Sequence, residues 1–238
     1  FSYITGKAFA FRILVETAFA AWVVLALYAK EYRPRFSWIF VTLATFVGVL
    51  FVADIFGVAP MKSLWSNFER MEGFVTLAHL LLYFIVIGSV LGVERLWDRF
   101  FNVSLIAAAL VALFAFGELA GFTPIAQGSR INATLGNAIY MAVYMLFHVF
   151  IALLMLVRST QKGWRICYGS LAVAFAFLLV WTETRGATIG LVGGLFFTAL
   201  SMVWMSRENH TVRKTALIGM AVLLLMSGVF YLLRDSAV

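Results

Sequence analysis

Two arginines in short polar breaks between long apolar runs are the residues best suited to chemistry in this sequence. Arg130 lies in the stretch 128–137, which reads Gly-Ser-Arg-Ile-Asn-Ala-Thr-Leu-Gly-Asn. Arg185 lies in the stretch 182–187, which reads Thr-Glu-Thr-Arg-Gly-Ala. A guanidinium group donates paired hydrogen bonds to phosphate or carboxylate oxygens. The two breaks together therefore predict a site that binds an anion.

The surroundings of Arg130 add groups that favour phosphate. An apolar run starts near Ala138, with Gly136 and Asn137 as its entry. Free N–H groups at the start of a helix attract anions, so an arginine beside them suits phosphate oxygens. Asn132 and Asn137 are candidate substrate-binding residues in the same stretch. The alternative is an arginine that extends to lipid headgroups at the membrane surface.

Arg185 lies in a break so short that its charge is held at the membrane surface. There it could meet a phosphate group of a lipid from the side, with Glu183 as a further candidate substrate contact. The alternative is a salt bridge to Glu183 or a simple anchor for the helix end. Glu69 and Arg70, in the break 57–73, are also candidate substrate-binding residues. The alternative for that break is an amphipathic segment that lies in the membrane interface.

The elements that position these residues are membrane-spanning helices. The chain has 238 residues, of which 63% are hydrophobic and 12% charged, whereas soluble domains have roughly 25% charged residues. Because lipid offers no partner to the backbone, the spans are helices. We predict an all-α polytopic membrane protein, a single bundle over residues 1–238 with about eight helices and short loops, at about 8–28, 36–56, 74–92, 100–117, 138–157, 166–182, 186–205 and 215–233.

The net charge of +7 is distributed unevenly between the two sides of this bundle. Eleven Lys and Arg residues lie in alternate breaks, namely Lys30, Arg33, Arg35, Arg95, Arg99, Arg158, Lys162, Arg165, Arg207, Arg213 and Lys214. The other breaks hold four, namely Lys62, Arg70, Arg130 and Arg185. Since cytoplasmic loops carry the excess of positive charge, Arg130 and Arg185 are predicted on the outer face.

Other polar residues receive structural interpretations. Arg12 and Glu16 are four residues apart and could form a pair on one helix face. Glu118 lies near an outer helix end, where we expect inexpensive hydration. His79 and His148 lie within apolar runs and are expected to be satisfied core histidines.

A stripe of Gly186, Gly190 and Gly194 predicts close packing of a neighbouring helix. No metal-ligand spacing is present.

The pattern of the polar breaks resembles the O-antigen ligase and O-antigen polymerase superfamily of bacterial membrane glycan transferases. The residues that carry this resemblance are Arg130 with the Asn-Ala-Thr-Leu-Gly-Asn that follows, Thr-Arg-Gly-Ala at 184–187, and Ser-Leu-Trp-Ser and Glu-Arg-Met-Glu-Gly at 63–66 and 69–73. In this family, one arginine lies in each of two successive outer loops, ahead of a large periplasmic loop. Arg130 and Arg185 lie in such loops.

The resemblance implies inverting glycosyl transfer in the bacterial inner membrane, without a metal or a cofactor. Arg130 and Arg185 would be the catalytic residues that neutralise the leaving diphosphate. The implied partners are an undecaprenyl-diphosphate-linked glycan donor, a glycan, lipid or protein acceptor, and membrane lipid, with no nucleic acid. The chain starts at Phe1 without methionine, so we expect a fragment that lacks the first helix, the large loop and the general-base histidine of that loop.

Two other functions remain open from the sequence. A multi-helix transporter or lipid-glycan flippase would place ionisable groups near the middle of the membrane, whereas most charges here lie near helix ends. A structural membrane subunit would use both arginines only as anchors.

Overall fold

The computed structural model describes residues 5–67, 72–125 and 128–205, together with Lys214, Leu217 and Met220. Over these residues the protein is helical, and no β-strand occurs among them. Within the described ranges there are eight α-helices: α1 Thr5–Tyr28, α2 Trp38–Ile55, α3 Pro60–Trp65, α4 Phe74–Val90, α5 Glu94–Leu119, α6 Ala138–Arg158, α7 Lys162–Trp181 and α8 Arg185–Met205. Two short 3-10 turns cover Lys30–Tyr32 and Ala133–Leu135.

Six of the described helices are long and apolar enough to cross a membrane, namely α1, α2, α5, α6, α7 and α8. The apolar helix α4 has 17 residues and is shorter than these six. A helix satisfies its own backbone hydrogen bonds, which lipid cannot do. The predicted all-α polytopic membrane fold is therefore confirmed.

Most predicted spans agree with helices to within a few residues, but two helices begin earlier than predicted. α5 starts at Glu94 rather than near residue 100, and α7 starts at Lys162 rather than near residue 166. Hydropathy detects only the apolar part of a helix, whereas the hydrogen bonds of a helix continue through charged residues. The span predicted at 215–233 lies outside the described residues, apart from Leu217 and Met220.

The chain divides into two compact units, residues 1–103 and 104–238, with the boundary inside α5. In the first unit, α1 and α2 both pack against α4, and α3 contacts α2 and α4. Gly73 precedes α4 and approaches the backbone of α3, where an added Cβ would lie 2.3 Å from the carbonyl oxygen of Leu64. This close approach requires glycine.

Polar side chains of α1 are directed to partners on α4 in the first unit. Arg12 donates to the hydroxyl of Thr76 over 3.0 Å. Glu16 pairs with Nε2 of His79 over 3.0 Å, and Nδ1 of His79 lies 2.6 Å from the carbonyl oxygen of Val75. The expected pairing of Glu16 with Arg12 is therefore replaced by a pairing with His79. That histidine is satisfied, as predicted.

The second unit has α6 at its centre. Buried residues recur on α6 every three or four positions, with Met141 and Met145 fully buried. α7 packs along α6 and contributes Phe175, Leu178 and Leu179 to the same core. This periodicity is that of a helix with one buried face.

The glycine stripe of α8 faces α6, in part as predicted. An added Cβ at Gly190 would lie 3.3 Å from Cδ2 of Leu146, and one at Gly194 would lie 2.6 Å from Cζ of Phe150. An added Cβ at Gly186 would meet no atom within 4 Å. Close packing is thus confirmed for two of the three glycines, because only that part of the stripe faces α6.

Candidate functional site

The site begins with a buried acid at the end of α5. The buried face of this helix is formed by residues three or four positions apart, namely Leu105, Ala108, Ala112, Ala115 and Glu118. Glu118 therefore continues the packing face of α5 and is only 5% exposed. The expectation of a hydrated Glu118 was wrong, because its position on the helix face, rather than its depth along the helix, determines its burial.

Glu118 holds the loop that carries Arg130. Its Oε2 accepts the backbone N–H groups of Asn132 over 3.0 Å and of Ala133 over 2.9 Å. Ala133 has a φ of +47°, a left-handed conformation that costs about 1–2 kcal/mol for a residue with a Cβ. A carboxylate that accepts two buried N–H groups can offset that cost. The loop is therefore fixed to the end of α5.

A cavity of about 430 Å³ lies at this end of the helices, in the second unit. The end of α5, the following loop, the end of α7 and the turn before α8 contribute to its walls. Its lining residues are Glu118, Leu119, Ile125, Ser129, Arg130, Ile131, Trp181 and Glu183. Its volume is in the range of sites for small molecules. The walls combine one guanidinium, two carboxylates, a hydroxyl and an indole ring.

Arg130 is exposed and lines this cavity. The residues on both sides of it differ in exposure, since Ser129 is exposed and Ile131 is 3% exposed. The buried Ile131 and the hydrogen bonds of Glu118 fix the backbone beside Arg130, while its side chain stays accessible. The guanidinium is therefore accessible to a molecule in the cavity.

The two candidate asparagines have structural roles in this loop and helix start. Asn132 is completely buried, and its side-chain amide nitrogen lies 3.4 Å from the carbonyl oxygen of Arg130. No part of Asn132 is accessible in this conformation, and its predicted substrate contact stays a prediction. Asn137 is the N-cap of α6, and its Oδ1 accepts the N–H of Ile139 over 2.8 Å. A substrate contact by Asn137 stays a prediction.

The two predicted residues near α8 differ in their relation to the cavity. Glu183 lines the cavity and has a φ of +55° in the turn between α7 and α8. Arg185 is the exposed first residue of α8, at the positive end of the helix dipole, but it is not among the cavity-lining residues. The predicted contacts of Glu69 and Arg70 lie outside the described residues.

Among the cavity residues that sequence reasoning missed are Glu118 and Trp181. The signal for Glu118 was present, because the small residues Ala108, Ala112 and Ala115 mark a packing face that the acid continues. Trp181 ends α7 and is half exposed. Tryptophan is common at helix ends in the membrane interface, so its position along the chain gives no separate signal for a site.

His148 lies away from this cavity, in the core of the second unit. Its Nε2 is 2.9 Å from the hydroxyl of Ser104, and its Nδ1 is 2.7 Å from the carbonyl oxygen of Tyr144. The prediction of a satisfied core histidine is confirmed for this residue. Among the described residues, no group of three or more His, Cys, Asp or Glu side chains is placed to share a metal ion.

Comparison of the chain with protein-family models, with curated proteins and with solved structures gives no match. Function is therefore inferred from the residues of the cavity and from the pattern in which they occur along the chain.

Proposed function

We propose that this chain belongs to an enzyme that transfers a glycan from an undecaprenyl diphosphate carrier to an acceptor hydroxyl, as in the O-antigen ligase and polymerase superfamily. The reaction takes place at the outer face of the bacterial inner membrane. Arg130 binds the diphosphate, and Arg185 contributes positive charge beside it. The proposal starts from a multi-pass membrane protein, which follows from the six long apolar helices.

The observation that carries this proposal is the position of Arg130. Its loop is held by the buried carboxylate of Glu118, yet its side chain is exposed at a cavity of about 430 Å³. Because the backbone beside Arg130 is fixed, its guanidinium needs less rearrangement to meet the negative charge that develops on a leaving group. Its planar fork also matches the oxygens of a diphosphate. These properties support a role in binding the leaving group.

The proposed reaction is a single displacement. The acceptor oxygen forms a bond to the anomeric carbon while the bond from that carbon to the diphosphate oxygen breaks, with inversion. The electron pair of the broken bond stays on the diphosphate, and the acceptor proton passes to a general base, which the resemblance places in a large outer loop. Arg130 lowers the barrier by stabilising the charge on the diphosphate.

The test is the transfer of a radiolabelled glycan from its undecaprenyl diphosphate carrier in membranes that contain the full-length protein. Arg130→Ala should lower the rate by roughly 100-fold, the typical effect of losing one preorganised donor. Arg130→Lys should also lose most activity, since lysine cannot form the paired hydrogen bonds. Arg165→Ala, on the exposed first turn of α7, is the matched control and should retain the wild-type rate.

Arg185→Ala tests the second arginine separately, and its transfer rate should also fall. Full activity of both Arg130→Ala and Arg185→Ala, at wild-type membrane expression, would refute the diphosphate role. The arginines would then be helix anchors, as in a flippase or a structural subunit.

A further inference from the structure

The cavity beside Arg130 contains a buried carboxylate with unused hydrogen-bonding capacity. Oε2 of Glu118 accepts two backbone N–H groups, whereas Oε1 is buried and has no hydrogen-bond partner among the residues that the structure describes. Leaving a buried charged oxygen without a donor is costly, by more than about 1–3 kcal/mol. Glu118 is one of the residues that line the cavity, so a molecule bound there is the nearest source of that donor.

The other walls of the cavity restrict the chemistry of such a molecule. Trp181 and Ile131 offer apolar surface, while Ser129, Arg130 and Glu183 offer hydrogen-bonding groups. A sugar ring has both characters, since its C–H faces are apolar and its hydroxyls both donate and accept. An aromatic ring with a polar edge suits such a mixed surface. A volume of about 430 Å³ has room for a sugar.

We propose that this cavity is a saccharide subsite that binds the sugar attached to the diphosphate, and that one hydroxyl of this sugar donates to Oε1 of Glu118. The inference rests on the proposed function, because Arg130 lines the same cavity and would hold the adjoining diphosphate. Glu118 is then a specificity-determining residue. Its one carboxylate fixes the loop through Oε2 and recognises the sugar through Oε1.

Two other ligand classes fit the cavity less well. A metal or ammonium cation would meet the carboxylates of Glu118 and Glu183, but the guanidinium of Arg130 lines the same walls and would repel it. An anion other than the diphosphate would compete with it for Arg130 and has no hydroxyl to donate to Oε1 of Glu118. A neutral ligand rich in hydroxyls can satisfy both the guanidinium and the carboxylates.

The test is equilibrium binding of tritiated probes to the purified full-length protein in nanodiscs. The probes are farnesyl diphosphate and its derivatives that carry glucose, galactose or N-acetylglucosamine. At least one sugar derivative should bind roughly tenfold or more tightly than farnesyl diphosphate. In that sugar, replacement of one hydroxyl by hydrogen should weaken binding roughly ten- to a hundredfold. This is the usual contribution of a hydrogen bond to a charged group.

The Glu118→Gln variant tests whether Glu118 is the residue that accepts the hydrogen bond from this hydroxyl. The glutamine keeps one oxygen as an acceptor for the loop N–H groups, but its amide nitrogen cannot accept a hydroxyl proton. The variant should therefore bind the parent sugar and the deoxy sugar with equal affinity. Glu31→Gln, an exposed acid in the first unit, is the matched control and should keep the wild-type preference. A purely structural role of Glu118 would weaken all probes alike and leave the preference unchanged.

The outcomes separate the two proposals. If Arg130→Ala weakens every probe while no sugar derivative exceeds farnesyl diphosphate, the saccharide subsite is refuted and the diphosphate role stands. If Arg130→Ala weakens no probe, the proposed function fails, whatever the sugar preference. Should Glu118→Gln fail to fold, Trp181→Ala provides the second variant. Trp181 is half exposed, and its loss should weaken the sugar derivatives but not farnesyl diphosphate.

Discussion

Glu118 and Ala133 are joined by a hydrogen bond of 2.9 Å that connects the buried end of α5 with the loop carrying Arg130. The donor residue has a left-handed backbone, with a φ of +47°. One carboxylate therefore stabilises an otherwise unfavourable turn and sets the position of the nearby arginine. The conformation of the candidate site depends on a residue that is itself hidden from solvent.

Loss of the Glu118 side chain should destabilise the second unit. Glu118→Ala leaves the N–H groups of Asn132 and Ala133 without their acceptor, at a cost of about 1–3 kcal/mol for each buried group. The thermal unfolding midpoint in detergent should fall clearly below that of wild type. Glu31→Ala, which changes an exposed acid, should leave the midpoint unchanged. An equal midpoint for Glu118→Ala and wild type would show that these hydrogen bonds contribute nothing measurable.

Replacement of alanine by glycine should be tolerated better at position 133 than at an alanine inside a helix. The left-handed backbone costs alanine about 1–2 kcal/mol, and glycine avoids this cost while losing about 0.5–1 kcal/mol in chain entropy. Ala133→Gly should therefore match or exceed the wild-type unfolding midpoint. Ala115→Gly, in the interior of α5, should lower it. A larger loss at 133 than at 115 would contradict the left-handed turn.

The contact between α6 and α8 should be sensitive to the size of residue 194. A Cβ at Gly194 would lie 2.6 Å from Cζ of Phe150, so Gly194→Ala should destabilise the protein by about 1–3 kcal/mol. The neighbouring Gly193 faces open space, where an added Cβ meets no atom within 4 Å. Gly193→Ala should therefore be neutral or stabilising in the same thermal unfolding assay. If both variants had the same effect on stability, the face of α8 that packs against α6 would not be the face that carries Gly194.

The Ser104–His148 pair should contribute to stability and not to the proposed glycan transfer. Ser104→Ala removes the hydroxyl that lies 2.9 Å from Nε2 of His148 and leaves this buried nitrogen without it, at about 1–3 kcal/mol. The unfolding midpoint should fall, while the rate of glycan transfer per folded molecule stays at the wild-type value. A normal midpoint with a reduced rate would instead indicate a catalytic histidine.

The two ends of the second unit should react with a membrane-impermeant maleimide from opposite sides. Cys167 is exposed and is first replaced by serine. Ser129→Cys places a thiol in the loop of Arg130, and Thr160→Cys places one in the turn between α6 and α7, both at exposed positions. In intact cells the first thiol should be labelled and the second protected until the membrane is permeabilised. Labelling in the reverse order would place the cavity on the cytoplasmic side.

Several features of the fold were predictable from the sequence, because they depend on local physics. The length of the apolar runs gave the spans of α6 and α8 to within a residue or two, since a hydrocarbon core admits only helices of this length. The start of α5 was not predictable from hydropathy, because Glu94 and Arg95 are helical without being apolar. Predicting the burial of Glu118 depends on which face of α5 it lies on, rather than on its distance from the helix end.

The sequence by itself determined the all-helical membrane fold, the unequal distribution of charge between alternate loops, and the presence of Arg130 in a polar break. These features depend on hydropathy and on residues close together in the chain. Only the tertiary structure decided that Arg130 and Glu183 line one cavity, that Asn132 is buried, and that Arg185 is not among the lining residues. Those facts depend on which helix ends meet in space. Apolar runs give the length of each helix but do not specify its rotation about its own axis or its neighbours.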